Sequence, residues 1–174
     1  MEYVAFLLGI NVGKRTIKMA DLKRLMETLG YERVRTILAS GNVIFEAGSV
    51  KPDTIGKKME VALENEFGFK VGVIVRPTGE VERMLKAKPF KNIVVTPSVR
   101  RYVTFLSEKP ASLAVPASPS HAYRVLKVAV GEVYSVLDLS KAATTPDVMK
   151  LLGTAYGKKI TTRNWNTIEK IARG

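Results

Sequence analysis

Tyr3-Val4-Ala5-Phe6-Leu7 and Tyr102-Val103-Thr104-Phe105-Leu106 open the two halves of the chain with one pattern: aromatic, valine, a small residue, phenylalanine, leucine. Five-residue matches between apolar strands arise by chance, so the residues C-terminal to each copy decide the fold. After the first, Gly9-Ile10-Asn11-Val12-Gly13-Lys14 reads as a glycine-punctuated loop. Met19, Leu22, Leu25, Met26 and Leu29 then recur at helical spacing, and Gly30 supplies a stop. Val34–Leu38 and Val43–Glu46 are short strands around Ala39-Ser40-Gly41-Asn42, a hairpin signal. Pro52 opens a second helix with Ile55, Met59, Leu63 and Phe67 on one face, and Gly68 ends it. Phe69–Arg76 is a β-branched strand. The order β-α-β-β-α-β predicts a ferredoxin-like unit over residues 1–77.

The second half holds six of the eight prolines. Thr78–Lys88 reads as a short helix bounded by Pro89, within a connecting segment over residues 78–99. Arg101–Ser107 is a strand, and Pro110–Pro119 a loop or a poor helix. Tyr123–Val130 and Val133–Leu139 form a hairpin around Gly131-Glu132. Thr145-Pro146-Asp147 combines an N-cap, a first-turn proline and a first-turn acid, so a helix is expected to about Leu152. Thr161 or Thr162 is expected to cap a last helix to about Ala172. The hairpins at Gly41-Asn42-Val43 and Gly131-Glu132-Val133, and the Pro-led helices at Pro52 and Pro146, repeat in one order. The sequence therefore predicts an α+β protein of two duplicated ferredoxin-like (βαββαβ) units with mostly antiparallel sheets, the second over residues 100–174 with a C-terminal helix.

Composition narrows the chemistry. With 174 residues, 46% hydrophobic and 25% charged, the chain can bury a core without staples. Zero cysteine excludes disulfides, thiolate nucleophiles and cysteine metal sites, and the single His121 excludes histidine clusters, so no metal and no cofactor is expected. Met1-Glu2 begins acidic, the first apolar run, Val4–Leu8, is too short for a signal core, and no stretch approaches the ~20 apolar residues of a membrane helix, which predicts a soluble cytoplasmic protein. Net charge is +12. Residues 1–87 carry 14 basic and 11 acidic side chains, residues 88–174 carry 14 and 5. Such an excess suits an anion or nucleic-acid binder. It also suits an ordinary solvated surface, because no five like charges run together.

Gly9-Ile10-Asn11-Val12-Gly13-Lys14-Arg15-Thr16 lies between a strand and a helix, as a P-loop does, but has three residues between its glycines and Arg15 after the lysine. NTP hydrolysis is therefore rejected. The loop remains a candidate anion cradle, with Lys14, Arg15 and Lys18 adding charge, or else a plain strand-to-helix turn. Ser40-Gly41-Asn42 is either a ligand-facing turn or simple turn chemistry, and Ser40 stands in no nucleophile elbow. In Thr161-Thr162-Arg163-Asn164-Trp165-Asn166-Thr167, Trp165, Ile168 and Ile171 fall at helical spacing, so Trp165 is core and Arg163, Asn164 and Asn166 point elsewhere. They suit a phosphate or carboxylate, or an ion pair that merely fastens the helix. His121, in a Pro/Ser loop, reads as exposed, and Tyr134, Asp138 and Asp147 as isolated; no triad or carboxylate pair is visible. Ser40-Gly41-Asn42-Val43-Ile44-Phe45 lacks the aromatic RNP pattern, and Tyr3 and Phe6 fall on opposite strand faces, so RRM-type RNA recognition is not expected.

Leu8-Gly9-Ile10-Asn11-Val12-Gly13, Ser40-Gly41-Asn42-Val43-Ile44-Phe45 and Thr162-Arg163-Asn164-Trp165-Asn166-Thr167, in that order, resemble the bacterial family called domain of unknown function 1697. The resemblance spans Tyr3 to Ile171 and implies duplicated ferredoxin-like units. It brings no activity, substrate or cofactor. An arginine commonly precedes the first motif's glycine in the family; Leu8 stands there here, which leaves Lys14 or Arg15 to supply charge.

The residues support three functional readings. The first is a small anionic ligand, phosphorylated ones included, held by Gly9, Asn11, Gly13, Lys14, Ser40, Asn42, Arg163, Asn164 and Asn166, at polar loops where ligand sites tend to lie. The second is sequence-independent nucleic-acid binding through Arg100, Arg101, Arg124, Lys127, Lys158 and Lys159. The third is an enzyme that stabilises an anionic transition state with Arg, Lys and Asn, for which no general base can be named. No membrane partner is expected, and oligomeric state is not legible.

Overall fold

Strand β1 (Glu2–Leu7) is buried at every position from Tyr3 to Leu7, which is why it reads as an unbroken apolar run rather than an alternating one. The computed structural model describes residues 1–118, 120–142 and 148–173. Tyr3, Ala5 and Leu7 project to one face. There they meet Leu22 and Met26 of α1 (Met19–Thr28) and Ile55, Met59 and Leu63 of α2 (Pro52–Phe67). Val4 and Phe6 project to the other face and are buried too, as are Ile44 and Ile74. The sheet also contains β2 (Glu32–Ile37), β3 (Asn42–Glu46) and β4 (Val73–Pro77), in the antiparallel order β2-β3-β1-β4. α2 is bounded as its sequence dictates: Pro52 occupies the first turn, and Gly68 closes it at φ +76° while its N–H donates to the Glu64 carbonyl. The strand expected from Phe69 begins only at Val73. Phe69 instead lies with its ring tilted 6.5 Å from that of Phe67 and packs on the helix-side core, and the Gly72 carbonyl accepts from Leu8 N–H. Helix α3 (Thr78–Lys86) comes directly after β4.

The second sheet holds β5 (Val99–Leu106), β6 (Tyr123–Val128), β7 (Glu132–Asp138) and β8 (Ile160–Asn164), in the antiparallel order β6-β7-β5-β8. Advancing each strand number of the first sheet by four gives the second, so the chain is an α+β fold of two duplicated ferredoxin-like units. Contacts divide it into Met1–Arg83 with Lys170–Gly174, and Met84–Glu169. The second unit departs from βαββαβ in one place. Among the described residues no helix lies between β5 and β6, where Pro110 and Pro116 would break one. One sheet face buries Leu106, Tyr123, Val133 and Leu137 against Leu152 of α4 (Val148–Tyr156). The other carries Tyr134, which sits 6.0 Å from Phe90 and 6.2 Å from Trp165 in an edge-on aromatic triangle.

Two local expectations change. Thr161 and Thr162 do not cap a helix; they lie in β8, pairing with Phe105 and Thr104, and α5 (Trp165–Arg173) starts after them. Pairing with β5 satisfies the backbone of a segment with one apolar residue, and the Thr104 and Thr162 hydroxyls bond each other at 2.6 Å. α4 runs past Leu152 to Tyr156. The capping run Thr145-Pro146-Asp147 lies outside the described residues.

Candidate functional site

The loop after β1 is a tight curl closed by Asn11. Its φ of +57° is one that asparagine tolerates better than most residues, and its N–H donates to the Arg15 carbonyl at 2.6 Å. Its side chain then works in two directions: Oδ1 accepts from Ile17 N–H at 2.9 Å, and Nδ2 donates to the Ala39 carbonyl. Ile10 and Ile17, at the two ends of the curl, are buried in the helix-side core. Lys14, Arg15 and Lys18 are exposed, and no salt bridge or side-chain hydrogen bond involves them among the described residues. Asp21, the acid of the following helical turn, is already paired with Arg24 at 2.6 Å.

The hairpin between β2 and β3 meets this curl. Gly41 has φ +74°, its carbonyl accepts from Leu7 N–H, and a Cβ there would lie 2.6 Å from Ile10 Cδ1. Asn42 is fully buried and donates to the Ile37 carbonyl at 2.8 Å and to Ser40 Oγ at 2.9 Å. The structure thus brings the Gly9–Lys14 loop and the Ser40–Asn42 turn together at one end of the first sheet. The two asparagine side chains shape that end, while the three cations and Ser40 face solvent.

Arg163, Asn164 and Asn166 belong to the second unit. Arg163 stands on β8 opposite Val103 and is buried; its Nη1 donates to Thr161 Oγ1 at 2.6 Å and to the Thr162 carbonyl at 3.0 Å. Desolvation pushes its guanidinium down to about 10. Asn164 ends β8 and is exposed. Asn166 Oδ1 accepts from Arg101 Nη2 at 3.0 Å, and Arg101 also approaches Glu169 and lies over the Phe90 ring. Among the other cations considered for nucleic acid, Arg100 donates to the Pro97 carbonyl. Arg124 and Lys127 are exposed on edge strand β6, and Lys158 and Lys159 precede the opposite edge, β8. Three strand spacings, about 14 Å, separate those edges.

Sequence reasoning passes over a cleft of about 610 Å3 in the second unit, lined by His121, Arg124, Asp138, Ser140 and Lys141 among others. Asp138 reads as isolated only if Asp138-Leu139-Ser140-Lys141 is not recognised as a self-bonding turn. The carboxylate accepts from Ser140 N–H and Oγ, and from Lys141 Nζ at 3.4 Å. Ser140 and Lys141 hold it below its ordinary range. Among the described residues no three His, Cys, Asp or Glu side chains are grouped to hold a metal, and no helix is long and apolar enough to cross a membrane.

Two antiparallel four-stranded sheets of matching order place the molecule among duplicated ferredoxin-like α+β proteins. Residues 1–134 match the family described as "Protein of unknown function (DUF1697)", and the chain belongs to that family. A conserved bacterial protein from Streptococcus pneumoniae has a similar fold, with a TM-score of 0.74 and 22% identity over 99% of this chain and 97% of that one. No curated protein matches the chain.

Proposed function

We propose that the protein binds a small anionic, phosphate-bearing ligand at the end of the first sheet, over the Gly9–Lys14 loop and the Ser40–Asn42 turn. The observation that carries this reading is the double use of the Asn11 side chain, which fixes the loop from both sides and leaves Lys14, Arg15 and Lys18 exposed on a curl that needs little ordering on binding. Positive φ at Gly9 and Gly13 lets the backbone curl without a Cβ in the way of a ligand. The Arg163 guanidinium and the Asn166 carbonyl oxygen already have partners inside their own unit, so the reading does not draw on them.

A thermal-shift screen with inorganic phosphate, sugar phosphates and nucleotides tests this. A ligand at 100 times its Kd stabilises by about 2.7 kcal/mol. The double variant Lys14→Ala/Arg15→Ala is expected to keep its own melting temperature and to lose the ligand-induced shift. Retention of that shift would remove the site.

A further inference from the structure

We propose that the second unit carries its own ligand site, a cleft between Arg124 and Asp138 that takes a phosphorylated sugar or similar polyol phosphate. The cleft volume, about 610 Å3, is that of a small-molecule site. Arg124 on β6 pairs across the sheet with Val136 on β7, and Asp138 lies two residues further along β7 on the same face. Such diagonal neighbours stand about 7–8 Å apart, near enough for an arginine to reach a carboxylate. These two do not join. Asp138 is occupied by its own turn, Ser140 on one oxygen and Lys141 on the other. Arg124 makes no hydrogen bond or ion pair among the described residues, although it lines the cleft.

The two ends therefore ask for different groups. The unpaired guanidinium suits a phosphate, which it can grip with two parallel N–H donors. A carboxylate has about four acceptor positions; three face Ser140 and Lys141, so one remains on the Oδ2 side for a ligand hydroxyl. Lys141 already neutralises that carboxylate, so its end offers an acceptor for a ligand hydroxyl, and the unpaired Arg124 guanidinium sets where the phosphate goes. Val136, the register partner of Arg124, offers an apolar face beside the guanidinium for a sugar ring, Val99 faces Asp138 from β5, and Asn92 and Ser98 add further hydrogen-bonding groups to the lining.

Calorimetric titration of the full chain with ribose 5-phosphate, glucose 6-phosphate, the unphosphorylated sugars and inorganic phosphate tests the proposal. A sugar phosphate is expected to bind more tightly than inorganic phosphate, and the free sugars to show no measurable heat. Arg124→Ala, an exposed position that does not threaten folding, should weaken sugar phosphate binding at least tenfold. Asp138→Asn should weaken the sugar phosphate but not inorganic phosphate. Lys14→Ala/Arg15→Ala should leave this binding unchanged, which separates it from the site on the first unit. The proposal is overturned if no probe binds, if Arg124→Ala binds as the parent does, or if Asp138→Asn leaves the sugar phosphate preference intact.

Discussion

The side-chain amide of Asn11 donates to the main-chain carbonyl of Ala39, tying the loop after β1 to the hairpin that joins β2 and β3. Its oxygen accepts from Ile17 N–H, just before α1. One side chain thus fixes three points of the first unit: the end of a strand, the start of a helix and the tip of a hairpin.

Asn11→Gly keeps the positive φ and removes both bonds, leaving the Ile17 N–H without its partner. A loss of about 1–3 kcal/mol is expected in urea unfolding. Asn11→Ala should lose more, because alanine resists φ +57°. Equal losses for the two variants would show that the side-chain bonds carry the whole effect.

Gly41→Ala meets two obstacles, a φ of +74° and a Cβ 2.6 Å from Ile10 Cδ1. The expected loss is about 2–3 kcal/mol. Adding Ile10→Ala removes the contacts with Ile10 but leaves Leu7 Cβ at 3.0 Å and the backbone strain. The double variant should therefore cost less than the two single losses together, by about 1 kcal/mol in a double-mutant cycle. Strict additivity would place the whole cost in the backbone.

The Tyr123 and Ser135 hydroxyls are buried; each is the other's polar neighbour, but among the described residues neither has a partner in good hydrogen-bond geometry. Both face the α4 side of the second sheet, where Tyr123 and Leu137, and Val125 and Ser135, are register partners. Removing a buried polar atom that has no partner relieves a desolvation cost. Tyr123→Phe and Ser135→Ala should each leave the urea midpoint unchanged or raise it. A loss of more than about 1 kcal/mol in either would mean that the hydroxyl has a partner in solution.

Alkaline pH should destabilise the protein through its tyrosines. Burial, reinforced by the nearby Glu132 carboxylate, raises the Tyr134 phenol well above its ordinary 10.0, and burial raises Tyr102 as well. In the unfolded chain these phenols ionise near pH 10 while the folded ones keep their protons, so this stability is present below pH 10 and is lost as pH rises past it. Arg163 acts in the opposite sense. Its folded value, about 10, lies below the unfolded one, so its burial penalty fades as pH rises past 10. Tyr134→Phe should flatten the fall of the urea midpoint between about pH 9 and 11, and a parent curve that is already flat there would contradict the sign.

Much of the first unit is legible in the sequence because local and global preferences agree in it. Its helices carry their apolar residues at 3.6 spacing and end at glycines, and its strands are short and bounded by turn residues. β8 is hidden because Ile160-Thr161-Thr162-Arg163-Asn164 has one apolar residue; its place comes from pairing with β5 and not from its own pattern. The meeting of the Gly9–Lys14 loop with the Ser40–Asn42 turn is implied by the topology, since both lie at one end of the β1 and β3 pairing. The Arg124–Asp138 cleft has no such signal, since those residues are distant in sequence and become neighbours only through the β6–β7 register.

Amino-acid order suffices for the α+β class and the repeat, because apolar period, caps and turns are properties of neighbouring residues. It suffices as well for the basic surplus and the absence of cysteine chemistry. Folding selects which polar side chains are spent inside the molecule and which remain for a ligand. Asn11, Asn42, Asn166 and Arg163 hold backbone or neighbouring side chains, while Lys14, Arg15 and Arg124 do not. The physical reason is that a hydrogen-bonding group takes whichever partner the folded chain sets within about 3 Å, and for most of these groups that partner comes from another strand or loop.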